Sequence, residues 1–177
     1  MNKEIKNIVL SGLFLAIGII LPPLLGGSVL GQVISPIHFP VLLCGLLLGW
    51  KYGLIVGIIT PIFVSVMWGN LPMVPLALIM SVECAAYGFF SGFIFEKVKL
   101  FRNMISNLYF SLLMSMIIGR IVYLLLFGIM LLAGFNGQPF GAYVTAVFVT
   151  SIPGIILQIL TIPPIVLVID NNGKGIA

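Results

Sequence analysis

The 29 residues from Ile105 to Ala133 contain one charged side chain, Arg120, and no proline. About 20 apolar residues in a helix suffice to cross a hydrocarbon layer, so this run can cross with turns to spare for tilt or projection. In water it would have no polar face to present. The rest of the chain repeats the problem, for 61% of the 177 residues are hydrophobic and 7% are charged. A soluble domain carries about 25% charged residues. Lipid is the solvent such a surface requires. The apolar runs are continuous rather than alternating, which favours helices over barrel strands. The expected fold is all-α, a single transmembrane domain built as a compact bundle of six transmembrane helices.

Turn residues set the expected spans at about 8–25, 36–49, 53–67, 73–95, 105–133 and 143–169. Pro22-Pro23 and Gly26-Gly27 are expected to stop the first, and Pro61 to break or bend the third. Trp68-Gly69-Asn70-Leu71-Pro72 and the stretch from Gly134 to Gly141 read as turns, and Asp170 to Ala177 as a polar tail. The run from Pro40 to Gly49 is too short to cross, since ten helical residues cover about 15 Å. It must start earlier, thin the membrane, or pack inside the protein. Lys3 and Lys6 before the first apolar run resemble a signal peptide, but no convincing cleavage site follows, so the segment is expected to be retained.

The basic residues then orient the bundle. Lys3, Lys6, Lys51, Lys97, Lys99, Arg102 and Lys174 fall on one side of the six-span topology, and the opposite loops carry none. By the positive-inside rule both termini are expected to be cytoplasmic. These cations flank spans and form no stripe, so the net charge of +4 does not point to nucleic acid.

Two charges lie inside spans, Glu83 and Arg120. Counted from Pro72 and Gly134 they sit ~16 Å and ~21 Å deep, close enough in depth to pair directly or through a ligand or water. A charge at the centre of a helix costs about 2.5–3.5 kcal/mol to insert, so each is expected to face the interior. A structural ion pair between two helices and a solute site both satisfy that requirement. Tyr87 lies one turn from Glu83 and Tyr123 nearly one turn from Arg120, each adding a hydroxyl beside a charge. His38, between Pro36 and Pro40, is expected in the first external loop, as a helix cap or a ligand contact from above. Trp68 and Asn70 belong to the second external turn, where a ring could stack on a solute and an amide bond to it. Gln158 on the sixth span is either a helix cross-link or a ligand contact. Asn136, Gln138 and Tyr143 border the outer turn as rim candidates. Gly12 and Ala16, four apart with Ser11 beside them, give the first span a small-residue face suited to close approach by another helix, within this chain or in a partner.

Several absences narrow the function. Gly173-Lys174-Gly175 lacks the spacing of a phosphate-binding loop, so the chain is not expected to hydrolyse ATP. No nucleophile–base constellation and no metal-ligand set appears, Cys44 and Cys84 reading as small buried hydrophobes. Neither catalysis nor a cofactor is expected. A proton-coupled secondary transporter with Glu83 as proton carrier is the alternative, against which no internal repeat is visible.

The segments Gly12-Leu13-Phe14-Leu15-Ala16, His38-Phe39-Pro40-Val41-Leu42-Leu43-Cys44-Gly45 and Gly53-Leu54-Ile55-Val56-Gly57 carry a resemblance. So do Gly69-Asn70-Leu71-Pro72, Glu83 with Tyr87-Gly88, and Pro153-Gly154-Ile155-Ile156-Leu157-Gln158. In this order and spacing the chain resembles the substrate-binding S component of an energy-coupling factor (ECF) transporter, over nearly its whole length. Among such proteins it is most similar to the pantothenate-, folate- and pyrimidine-precursor-type group. The resemblance implies a six-helix subunit of a prokaryotic cell membrane that captures a vitamin or related micronutrient near the outer face. It implies as partners a transmembrane coupling protein and two cytoplasmic ATPases, with docking through Ser11, Gly12 and Ala16. It implies His38, Trp68, Asn70, Glu83, Tyr87, Arg120, Tyr123 and Gln158 as substrate-binding candidates.

Overall fold

A computed structural model describes residues 2–25, 35–69, 76–134, 141, 145, 149 and 151–173. Among these there is no strand. The helices are α1 (Lys3–Leu25), α2 (His38–Leu48), α3 (Trp50–Trp68), α4 (Leu78–Phe93), α5 (Met104–Leu132) and α6 (Ile152–Gly173), with a π-turn at Ile94–Val98 extending α4. Five of them are long and apolar enough to cross a membrane, and α2 is shorter.

The short helix is the centre. From His38 to Leu48 every residue of α2 except Phe39 is buried, and Val41, Leu42 and Cys44 have no exposed surface. It packs against α1, α3, α4 and α6. Of the three ways a ten-residue apolar run can avoid exposing its ends, the chain uses packing inside the protein. Protein, not lipid, satisfies its surroundings. The long helices instead present large apolar side chains outward, among them Leu24, Leu125, Ile129 and Leu160, as an apolar solvent permits.

Glycine backbones make this packing possible. Gly49, at φ 98°, is the single residue between α2 and α3, so the two helices turn back on each other within one residue. A Cβ on Gly88 of α4 would fall on the backbone of Gly53 in α3, and one on Gly45 of α2 would meet Ser91 and the Gly88 carbonyl. Three helices therefore meet backbone to backbone, the geometry small residues allow in membranes. The hydroxyl buried at the contact bonds within its own helix, Ser91 Oγ donating to the Gly88 carbonyl at 3.3 Å. That leaves no unpaired donor at the contact.

The prolines expected to stop the first span and to break or bend the third leave both helices continuous, and α1 reaches the expected Leu25. α1 runs through Pro22 and Pro23 to Leu25, and α3 runs through Pro61 to Trp68. Proline costs one intrahelical bond, and in a membrane helix neighbouring groups can replace it. α1 also begins earlier than expected, at Lys3 rather than about residue 8, and α3 begins at Trp50 rather than about residue 53. The backbone of α6 stays helical through Asp170 to Gly173, within the expected tail, and most of residues 143–150 lie outside the described residues. At the other end of α4, the π-turn closes with the Lys99 N–H on the Ile94 carbonyl at 3.3 Å, and Asn107 Nδ2 donates to Phe95 O at 3.1 Å.

Candidate functional site: a buried charged cluster on three helices

The side chains of His38, Glu83, Tyr87 and Arg120 come together from α2, α4 and α5. Glu83 and Tyr87 are four apart on α4 and so share a face. The Tyr87 hydroxyl donates to Glu83 Oε1 at 2.8 Å. Arg120 Nη1 lies 3.4 Å from the same oxygen, which turns the depth match counted along the two helices into an ion pair. His38 Nε2 faces the other carboxylate oxygen, Oε2, at 3.8 Å, too far for a hydrogen bond. That nitrogen is buried without a hydrogen-bond partner. The imidazole also meets the Tyr87 ring edge-on, with centroids 4.8 Å apart and planes at 69°.

Local sequence explains the convergence. Gly119 precedes Arg120 on α5, and a Cβ there would strike the Tyr87 ring. Its absence lets the phenol ring close against α5 while its hydroxyl reaches Glu83. His38 opens α2, and the burial of that helix carries the imidazole inward. It is the first residue of α2 and 4% exposed, where the expectation put it at the end of a loop leading into the second span. Proline is tolerated in a first helical turn, where its missing N–H has no partner in any case.

Electrostatically the cluster is a carboxylate with unequal oxygens. Oε1 receives both the phenol and the guanidinium, whereas Oε2 has only the histidine at a distance. Glu83 is 2% exposed at its side chain and Arg120 is 12% exposed. Arg120 is thus the more accessible member of the pair, and its guanidinium carries five N–H donors in all. A planar, partly exposed fork backed by a fixed carboxylate is suited to receiving an anionic oxygen pair.

The remaining described candidates stand on α3, α6 and α5. Trp68, at the end of α3, donates its indole N–H to the Ile19 carbonyl of α1 at 3.1 Å. Gln158 is buried on α6, with no hydrogen bond to the cluster. Tyr123 stacks on Phe127 along α5, centroids 6.4 Å apart and planes 6° apart. Asn70, Asn136, Gln138 and Tyr143 lie outside the described residues. On α1, Gly12 and Ala16 are exposed and a Cβ on Gly12 would meet nothing within 4 Å, while Ser11 Oγ donates to Ile8 O at 2.8 Å. Within the described residues this face packs on no other helix. Among those residues no group of three or more His, Cys, Asp or Glu side chains is arranged to hold a metal.

Sequence reasoning missed Gly119 and the contact of His38 with Glu83. A glycine directly before a buried arginine in an otherwise bulky helix was the available signal for the first. No local pattern signals the second, which joins residues 45 positions apart.

Apolar helices around a largely buried charged cluster define an integral membrane protein with a polar site inside its helical core. Residues 6–166 match the model of the family described as ECF transporter, substrate-specific component, and the chain belongs to that family. No curated protein and no solved structure matches it significantly.

Proposed function

We propose that this chain is the solute-capture subunit of an ECF importer, binding a vitamin or related micronutrient at the outer face for ATP-driven uptake by partner subunits. The bundle has six spans in a single transmembrane domain, with both termini cytoplasmic. The observation that carries the reading is the Glu83–Arg120 pair, buried with one partly exposed guanidinium and braced by Tyr87. A charge buried in the membrane is expensive and is retained where it meets a substrate, an ion or another charge. Arg120 receives a carboxylate or comparable acceptor of the solute, Glu83 orients Arg120 and takes a donor from the solute, and His38 faces the same space.

Energy comes from partners: a transmembrane coupling protein and two ATPases. Docking uses the face of α1 that carries Ser11, Gly12 and Ala16, which is supported by the exposure of Gly12 and Ala16 and the open space above Gly12. Toppling of the docked bundle turns the site inward.

Mass spectrometry of the small molecule retained by the purified chain tests the reading. The native chain should retain one defined solute, and folded Arg120→Met or Glu83→Gln chains should lose it. Equal retention by the native chain and both variants would contradict the assignment. Uptake driven by a pH gradient in liposomes holding this chain alone would favour a proton-coupled transporter instead.

A further inference from the structure

We infer that Trp68 is a positioning residue, a latch that supplies from α3 the hydrogen-bond donor that Pro23 withholds from α1. In an α-helix the carbonyl of Ile19 accepts from the N–H of residue 23. Residue 23 is proline and has none, although α1 continues as helix to Leu25. The Trp68 indole N–H is 3.1 Å from that same carbonyl, 49 residues away in the chain. An orphaned carbonyl in an apolar environment is costly, so a donor offered by a neighbouring helix is held firmly.

The surroundings make this a control point rather than an ordinary contact. One residue earlier, Gly18 is the only buried residue of α1, and a Cβ there would meet the Thr60 methyl at 2.7 Å and Pro40 Cγ at 3.2 Å. From Ile20 to Leu25 no side chain is buried, and Leu24 is 73% exposed. The last turns of α1 therefore add little packing of their own beyond the Gly18–Ile19 seam. Segments with few buried apolar contacts are the ones that open locally. The latch sets whether these turns ride with α3 or swing free, and they lead by residues 26–35 toward His38 in the charged cluster. It also commits the polar atom of Trp68 to the backbone, leaving only the ring face for any solute.

A double-substitution cycle separates this role from simple packing. In Trp68→Phe the aromatic body remains and the donor is lost. In Pro23→Ala residue 23 regains an N–H that can serve Ile19 within α1. Hydrogen exchange of peptides covering residues 19–25 is measured on the full chain in detergent micelles. Trp68→Phe alone should speed exchange there roughly fivefold, the effect of one net hydrogen bond. In the Pro23→Ala background the same substitution should change it less than about twofold. Equal acceleration in both backgrounds, or none in the native background, would overturn the proposal.

Discussion

Removing the charge of Arg120 while keeping an unbranched apolar stem, as in Arg120→Met, should destabilise the fold more than neutralising its partner by Glu83→Gln. The pair is 3.4 Å apart, with side-chain exposures of 12% for Arg120 and 2% for Glu83. At an effective dielectric of about 20, two unit charges at that separation attract by about 5 kcal/mol, before the cost of desolvating both. Without Arg120, Glu83 keeps only the Tyr87 hydroxyl as a close donor. A buried charge stripped of its partner costs about 3–5 kcal/mol. In Glu83→Gln the amide oxygen can still accept from Tyr87, and the freed guanidinium is the more exposed of the two groups. That substitution should cost about half as much. The double variant carries neither charge and should recover most of the loss. For a chain of this size about 1 kcal/mol moves the melting temperature by roughly 2–4 °C. Arg120→Met should therefore lower it by about 6–20 °C in detergent, with the double variant well above the Arg120→Met level. Additive losses would show that the two side chains act independently and would refute the account of the cluster.

Tyr87→Phe should lower stability by about 1.5–3 kcal/mol, the range for a hydrogen bond to a charged group, because its hydroxyl is 2.8 Å from Glu83 Oε1; a melting temperature within 1 °C of native, on the order of measurement error, would argue against that bond. Gly88→Ala should leave little folded protein after extraction, since its methyl would fall on the Gly53 backbone, whereas Gly128→Ala, where a Cβ meets nothing within 4 Å, should extract and melt as the native chain does. Size-exclusion profiles of the two variants side by side decide it, and equal behaviour would contradict the close approach of α3 and α4.

The charged residues of the cluster were easier to find than their arrangement. Glu83 and Arg120 stand out in apolar runs because charge inside a span has few explanations, and counting rise per residue brought them to similar depth. Tyr87 followed from helical spacing alone. His38 did not, since its flanking prolines read equally as loop and as the first turn of a helix. Trp68 was legible as a polar-tipped aromatic near an interface, but not as the donor to a carbonyl stranded by Pro23. That relation exists only once α1 and α3 lie side by side.

Composition and continuous apolar runs decided by themselves that this chain is a helical membrane protein, because the hydrophobic content leaves no aqueous alternative. The number and placing of charges marked where a polar site could be. Tertiary structure alone decided that the short Pro40–Gly49 run lies in the core of the protein, packed against α1, α3, α4 and α6. Nothing local to a sequence records which neighbours will surround it. The same holds for the glycines at positions 45, 53, 88 and 119. Each removes a side chain, and only the packed helices show what fills the space: a backbone at Gly53 and Gly88, the Ser91 hydroxyl and the Gly88 carbonyl at Gly45, and the ring of Tyr87 at Gly119.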